Sequence, residues 1–269
     1  MITYPFTYRR ANSLAEAEAA LKSSPDAKLL AGGQTLIATM KQRLASPSIL
    51  IDIARLAELR FIRREGQAIV IGAGARHNDV ATSDDVRKAL PALAELAEMI
   101  GDPAVRHMGT LGGSLANNDP AADYPAAVLA LDARITTTKR MIAADEFFQG
   151  MFATALDEDE IIKQVSFPVP EKAAYAKFKN PASRYAIAGV FVAKSGSDAR
   201  VAVTGAGSGV FRVPAMEEAL TREFSPDAIA NIQVPSDDLN SDIHASAEYR
   251  AHLVTVMAKR AVKQARERA

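Results

Sequence analysis

Apolar residues along this chain change period several times, and each change predicts an element. Ser13-Leu14-Ala15-Glu16 has the spacing of a capping box, and the alanine-rich run behind it predicts a helix to about Ser24, where Pro25-Asp26 ends it. Lys28-Leu29-Leu30 predicts a strand, positions 36–44 a helix, and positions 48–53 a buried strand after the break at Pro47. Together these make a βαβ-like lobe of roughly 55 residues. A second lobe opens at 61–75 with two β-rich runs separated by the turn Arg64-Glu65-Gly66-Gln67.

From Asp85 to Ile100, leucine and alanine recur at three- and four-residue steps, which predicts one amphipathic helix terminated by Gly101-Asp102-Pro103. Positions 125–131 are apolar, 133–138 and 160–167 read as strands, and Pro168-Val169-Pro170 marks a boundary. Beyond it, strands at 186–194 and 199–206 pair across Ser195-Gly196-Ser197-Asp198. Helices are predicted near 214–222, 226–232 and 246–267, giving an α+β domain of about 100 residues.

Composition then narrows the chemistry. Lysine plus arginine and aspartate plus glutamate number 32 each, so no net field favours nucleic acid or an anionic membrane. The absence of cysteine excludes disulfides, thiolate zinc sites, thiol nucleophiles and an iron-sulfur cluster held by this chain's own thiolates, so redox chemistry needs an organic cofactor. No run approaches 18 uninterrupted apolar residues and the first residues lack an export pattern. A cytoplasmic chain without a transmembrane segment is therefore expected. His77, His107, His244 and His252 form no pair at metal-ligand spacing, and no metal site is expected.

Two double-glycine segments carry the candidate site. Ala31-Gly32-Gly33-Gln34-Thr35 lies between a predicted strand and a predicted helix, where bare backbone can approach a ligand and aim consecutive N–H groups at an anion. In Gly109-Thr110-Leu111-Gly112-Gly113-Ser114, small residues and two hydroxyls can close on the same pyrophosphate from the opposite lobe, adding side-chain donors to amides. Gly72-Ala73-Gly74 lacks the full G-x-G-x-x-G spacing because position 77 is His77, and it reads as a strand-end turn.

These segments, together with Ile100-Gly101-Asp102-Pro103-Ala104-Val105-Arg106, Asp119-Pro120-Ala121-Ala122-Asp123, Phe147-Phe148-Gln149-Gly150, Lys177-Phe178-Lys179 and Ala247-Glu248-Tyr249-Arg250, resemble the medium, FAD-binding subunits of molybdenum hydroxylases. That family includes carbon monoxide dehydrogenase and bacterial xanthine dehydrogenase flavoproteins, and the resemblance spans nearly the whole chain. It implies an α+β architecture: a two-lobed FAD-binding fold of the vanillyl-alcohol-oxidase (PCMH) type in residues 1–56 and 57–170, then a smaller α+β C-terminal domain of the carbon monoxide dehydrogenase flavoprotein type in 171–269. Gln34, where relatives often have histidine or serine, and the pair Asn117-Asn118 depart from the usual pattern while keeping polar donors.

The resemblance further implies which residues hold the cofactor. Ala31, Gly32, Gly33, Gln34, Thr35 and Leu36, with Gly109, Thr110, Gly112, Gly113 and Ser114, would hold the FAD pyrophosphate. Asp123 would contact the ribityl or adenosine side, and Ile162 and Lys179 would line the flavin. Tyr185 falls where relatives place an aromatic ring over the isoalloxazine; packing at a strand start is the alternative. No catalytic base is assigned, because the flavin carries the redox chemistry. The implied partners are a small iron-sulfur subunit and a large molybdenum-cofactor subunit, assembled as a dimer of heterotrimers, with electrons leaving to an external acceptor. A stand-alone FAD-dependent oxidoreductase and a flavin-free scaffold subunit are the rival readings.

Overall fold

The computed structural model describes residues 2–268. The first lobe is a three-stranded sheet of order β1-β3-β2, all parallel, made of β1 (Thr7–Arg10), β2 (Ala27–Leu30) and β3 (Ile49–Asp52). Helix α1 (Leu14–Lys22) precedes β2, and a short α2 (Leu36–Lys41) follows it. Ser13 caps α1 by accepting the Glu16 N–H, while the Glu16 carboxylate accepts the N–H of Asn12, one residue earlier than a strict capping box would have it. Strand β1 carries no apolar alternation because all four of its residues are exposed at a sheet edge.

The second lobe is built on a five-stranded sheet of order β4-β5-β10-β6-β7. Its strands are β4 (Ile62–Glu65), β5 (Ala68–Gly72), β6 (Arg134–Thr137), β7 (Met141–Ala143) and β10 (Ile162–Pro168), with a hairpin of β8 (Phe148–Gly150) and β9 (Ala153–Thr154) between. Six short helices run from β5 to β6: α3 (His77–Thr82), α4 (Asp84–Ala89), α5 (Pro91–Glu98), α6 (Pro103–Arg106), α7 (Leu111–Asn117) and α8 (Tyr124–Ala130); α9 (Ala144–Phe147) follows β7. The single helix expected over 85–100 is thus two. Pro91 cannot donate into a continuous ladder, and Leu90 before it leaves the helical region (φ −143, ψ 63).

The third sheet, β11-β12-β13-β14, is antiparallel: β11 (Lys172–Lys179), β12 (Ala186–Ser195), β13 (Asp198–Thr204) and β14 (Phe211–Arg212). It is covered on both faces. Tyr175, Phe191, Ala193 and Ala202 join the core of the FAD-binding lobes, while the alternating Ala174, Ala176, Val190, Val192, Val201 and Val203 join a second core beneath α10 (Pro214–Arg222) and α11 (Ala247–Glu267). The C-terminal domain is therefore bonded to the rest through a sheet face. A helix expected over 226–232 is only a 3-10 turn, Asp227–Ile229. Among the described residues no helix is long and apolar enough to cross a membrane.

Candidate functional site

A cavity of about 610 Å³ lies between the lobes, within the size range of cofactor pockets, about 300–1,000 Å³. Both double-glycine segments line it. Every predicted site residue borders it except Lys179.

The first segment connects β2 to α2. Among the described residues the N–H groups of Gly32, Gly33, Gln34 and Thr35 have no acceptor, and Thr35, at the N-cap position of α2, makes no capping bond with its hydroxyl. Four consecutive free amides beside a cavity are donors held ready for an anion. Gly33 has φ +69, the left-handed region that favours glycine. Gly32 is glycine for a different reason: a Cβ there would overlap the Met108 carbonyl oxygen and stand 2.7 Å from Gly109 Cα. The two lobes touch backbone to backbone at this point.

The second segment differs from the expected loop. Thr110 caps α7, and Gly112 and Gly113 lie in the first turn of that helix. Their amides are already used: Leu111 N donates to Ala75 O at 3.0 Å, Gly112 N to Ala73 O at 2.8 Å, Gly113 N to Thr110 Oγ1 at 3.1 Å and Ser114 N to Thr110 O at 3.0 Å. What remains for a ligand, among the described residues, is the Thr110 N–H together with the Ser114 and Thr110 hydroxyls. Gly112 is required because a Cβ would sit 2.6 Å from Ala73 Cβ, whereas a Cβ on Gly113 would meet only the Thr110 side chain, at 2.9 Å. The cradle is thus asymmetric, with a run of free amides from the first lobe and a single free amide, that of Thr110, beside two hydroxyls from the second.

Asp123 is buried at the start of α8. Its carboxylate accepts the Tyr175 hydroxyl at 2.5 Å and pairs with Lys177 Nζ at 2.9 Å; Lys177, its side chain 1% exposed, also donates to Met99 O at 3.2 Å. Burial pushes the Asp123 carboxyl above the ordinary carboxylate range, opposed by the Lys177 charge and by the hydrogen bonds from Tyr175 and Lys177. Gly189, opposite Lys177, leaves room for the Tyr175 hydroxyl. Lys177, two residues before the predicted Lys179, is the lysine that reaches the cavity wall. A register shift between Phe178 and Lys179 breaks the alternation that would have placed Tyr175, Lys177 and Lys179 on one face, and Lys179 is exposed.

His77, which spacing alone gave no role, borders the cavity and is buried. Its ring lies against Gly109, where a Cβ would stand 2.5 Å from Nε2, and its centroid is 5.4 Å from that of Tyr124. Burial, then the charge of Arg106, pushes the imidazole down to about 4, so it is neutral at physiological pH. Among the described residues, His77 Nδ1 and the Tyr124 hydroxyl have no hydrogen-bond partner. His107 is exposed, its Nδ1 2.7 Å from Pro103 O.

Tyr185, 47% exposed, stands at the start of β12 beside Arg184, whose Nη1 donates to Gly101 O at 3.2 Å. Ile162 lines the cavity from β10, next to the acidic segment Asp157–Glu160. In that segment burial would raise the Glu160 carboxyl, but Arg140, Thr137 and the Asp157 amide hold it below the usual range. Asp159 reaches Lys22 of the first lobe at 3.9 Å.

Comparisons with known proteins agree with this geometry. Residues 4–170 match the family described as the FAD binding domain in molybdopterin dehydrogenase, and residues 173–265 the CO dehydrogenase flavoprotein C-terminal domain. The carbon monoxide dehydrogenase medium chain of Hydrogenophaga pseudoflava is 38% identical, the match covering 98% of each chain. The nicotine 6-hydroxylase medium subunit of Paenarthrobacter nicotinovorans is 36% identical over 96% of each. The solved structure of reconstituted CO dehydrogenase from Oligotropha carboxidovorans superposes with a TM-score of 0.90 at 34% identity, covering all of both chains.

Proposed function

Because the chain belongs to the FAD-binding flavoprotein subunits of the molybdenum hydroxylases, we propose that it holds FAD in the interlobe cavity and relays electrons from an iron-sulfur cluster of a partner subunit to an external acceptor. The observation that carries this is the run of amides from Gly32 to Thr35, which fits a pyrophosphate and has no acceptor among the described residues. Ala31 and Leu36 flank that run, and the other lobe closes it through the hydroxyls of Thr110 and Ser114, the close packing of Gly109 and Gly112, and Gly113, whose N–H holds the Thr110 hydroxyl in place. When bound, FAD supplies chemistry that couples one- and two-electron steps. Tyr185 would cover the flavin ring, and Asp123, fixed by Tyr175 and Lys177 of the third sheet, would present a rigid wall to it. Ile162 provides an apolar lining. No proton-transferring side chain is needed.

A division into lobes 1–56 and 57–170 and a C-terminal domain 171–269 is supported by the three larger sheets, one to each range. Without a cysteine, this chain cannot hold the cluster that feeds it, so a small iron-sulfur subunit and a large molybdenum-cofactor subunit complete the complex, as a cytoplasmic dimer of heterotrimers. Relatives named for carbon monoxide and for nicotine are 38% and 36% identical to this chain over nearly its whole length, which supports a reading in which substrate choice lies in the large subunit. The test is to purify the chain alone and with its partners and record the visible flavin spectrum. A yellow protein whose flavin is reduced by substrate only with partners present is expected. A colourless chain unable to take up added FAD would overturn the reading, and substrate-driven reduction of the isolated chain would favour a self-sufficient oxidoreductase.

A further inference from the structure

The cavity segment Asp119–Asp123 is held less by its own lobe than by the C-terminal domain. Thr204, fully buried at the end of β13, directs its hydroxyl between two carbonyls of that segment, Pro120 O at 3.0 Å and Ala122 O at 2.6 Å. The next residue, Gly205, donates its N–H to Pro120 O at 2.8 Å. Gly205 has φ +81, and a Cβ there would overlap the carbonyl of Ala186, so the strand end is pressed against the first residue of β12, next to Tyr185. Arg250 of α11, 4% exposed, then fastens both strand ends from the far side: Nη1 donates to Ile187 O at 2.7 Å and to Gly205 O at 2.9 Å, and Nη2 pairs with Asp242 at 2.7 Å. A line of bonds therefore runs from the last helix through Gly205 and Thr204 to the wall that bears Asp119, Ala122 and Asp123, and through Ile187 to Tyr185.

We propose that Thr204 and Arg250 are positioning residues for the FAD cavity, fixing the Asp119–Asp123 wall and Tyr185 from outside the FAD-binding lobes. The inference rests on the FAD reading above. Neither residue borders the cavity, so any effect on flavin must pass through the wall. The physical requirement is ordinary: a surface loop at a cofactor site has low intrinsic stability, and buried, satisfied hydrogen bonds to a two-sided core suppress its alternatives.

The test uses the full chain with Thr204→Val, which keeps shape and removes the hydroxyl, and Thr204→Ser, which restores it. Three quantities are measured: amide hydrogen exchange of residues 119–124 without FAD, the FAD dissociation constant, and the visible spectrum of the bound flavin. Thr204→Val should speed exchange in that segment at least tenfold, weaken FAD about tenfold and alter the flavin band, with Thr204→Ser close to wild type. Arg250→Lys, which cannot serve both carbonyls and Asp242, should speed FAD release by a similar factor and serves if Thr204→Val folds poorly. An unchanged affinity and spectrum in Thr204→Val or Arg250→Lys, or a Thr204→Ser protein as impaired as Thr204→Val, would overturn the proposal. A wild type that binds no FAD, while Thr204→Val still loosens residues 119–124, would sink the FAD reading and leave the clamp standing.

Discussion

Gly32→Ala separates a tight cofactor cradle from a generic turn. The added methyl would overlap the Met108 carbonyl oxygen and lie 2.7 Å from Gly109 Cα, both backbone atoms of the opposite lobe. Carbon–carbon contacts settle near about 3.5–4.0 Å, so the two segments must part by about 1 Å. Overpacking of this kind costs about 1–3 kcal/mol, small enough to leave the lobes folded because Gly32 itself is only half buried. The effect on FAD is larger. If the displacement removes two of the four amide bonds to the pyrophosphate, each worth about 1.5–3 kcal/mol to a charged acceptor, affinity falls by about 10²–10⁴-fold. Gly113→Ala is the matched control: its methyl meets only the Thr110 side chain, at 2.9 Å, and affinity should stay within about fivefold, under about 1 kcal/mol. Titration of the FAD-free proteins by flavin fluorescence, with circular dichroism to verify folding, reads both. A Gly32→Ala protein that keeps wild-type affinity, or a Gly113→Ala protein as impaired as Gly32→Ala, would refute the asymmetric cradle.

Lys177→Met should destabilise the chain by about 3–5 kcal/mol in urea unfolding, because it strips a buried carboxylate of its cation; a loss below about 1 kcal/mol would show that Asp123 does not depend on it. Lys179→Ala should change FAD affinity and stability by less than about 0.5 kcal/mol, since the side chain is exposed and off the cavity, and a marked loss of flavin would contradict that placement. His77 is held from its ordinary 6.5 down to about 4, so as pH falls the unfolded chain takes the proton first. Its contribution is complete above about 6.5 and lost by about 4, a difference of about 3 kcal/mol. His77→Asn should accordingly lose less stability than wild type between pH 7 and 4, and parallel pH profiles would count against a neutral buried imidazole.

Local pattern was informative wherever one residue type had a short-range reason. The turn at 64–67 places β4 and β5, Ser195–Asp198 places β12 and β13, and the glycines at 32–33 announce close backbone approach. The cysteine count, too, fixed by itself that any cluster must lie on another chain. Pattern failed where the determinant was distant. Strand β1 is wholly exposed and is a strand only because β3 offers it a parallel edge. Strand β11 is packed on both faces, so its alternation of alanine with tyrosine and lysine sorts two cores that sequence cannot distinguish.

The site divides in the same way. That bare backbone would meet an anion near Gly32-Gly33 was legible, because only glycine permits that approach and φ +69 at Gly33. Which amides stay free was decided by tertiary structure: those of Leu111 to Ser114 are consumed by Ala73, Ala75 and Thr110, a matter of how β5 and α7 dock. The choice of Lys177 over Lys179 turned on a one-residue register shift, and the roles of His77, Tyr175, Thr204 and Arg250 on contacts between elements far apart in the chain. Sequence determines what each residue can do over a few neighbours; burial and hydrogen-bond satisfaction across three sheets decide which of those possibilities the folded chain uses.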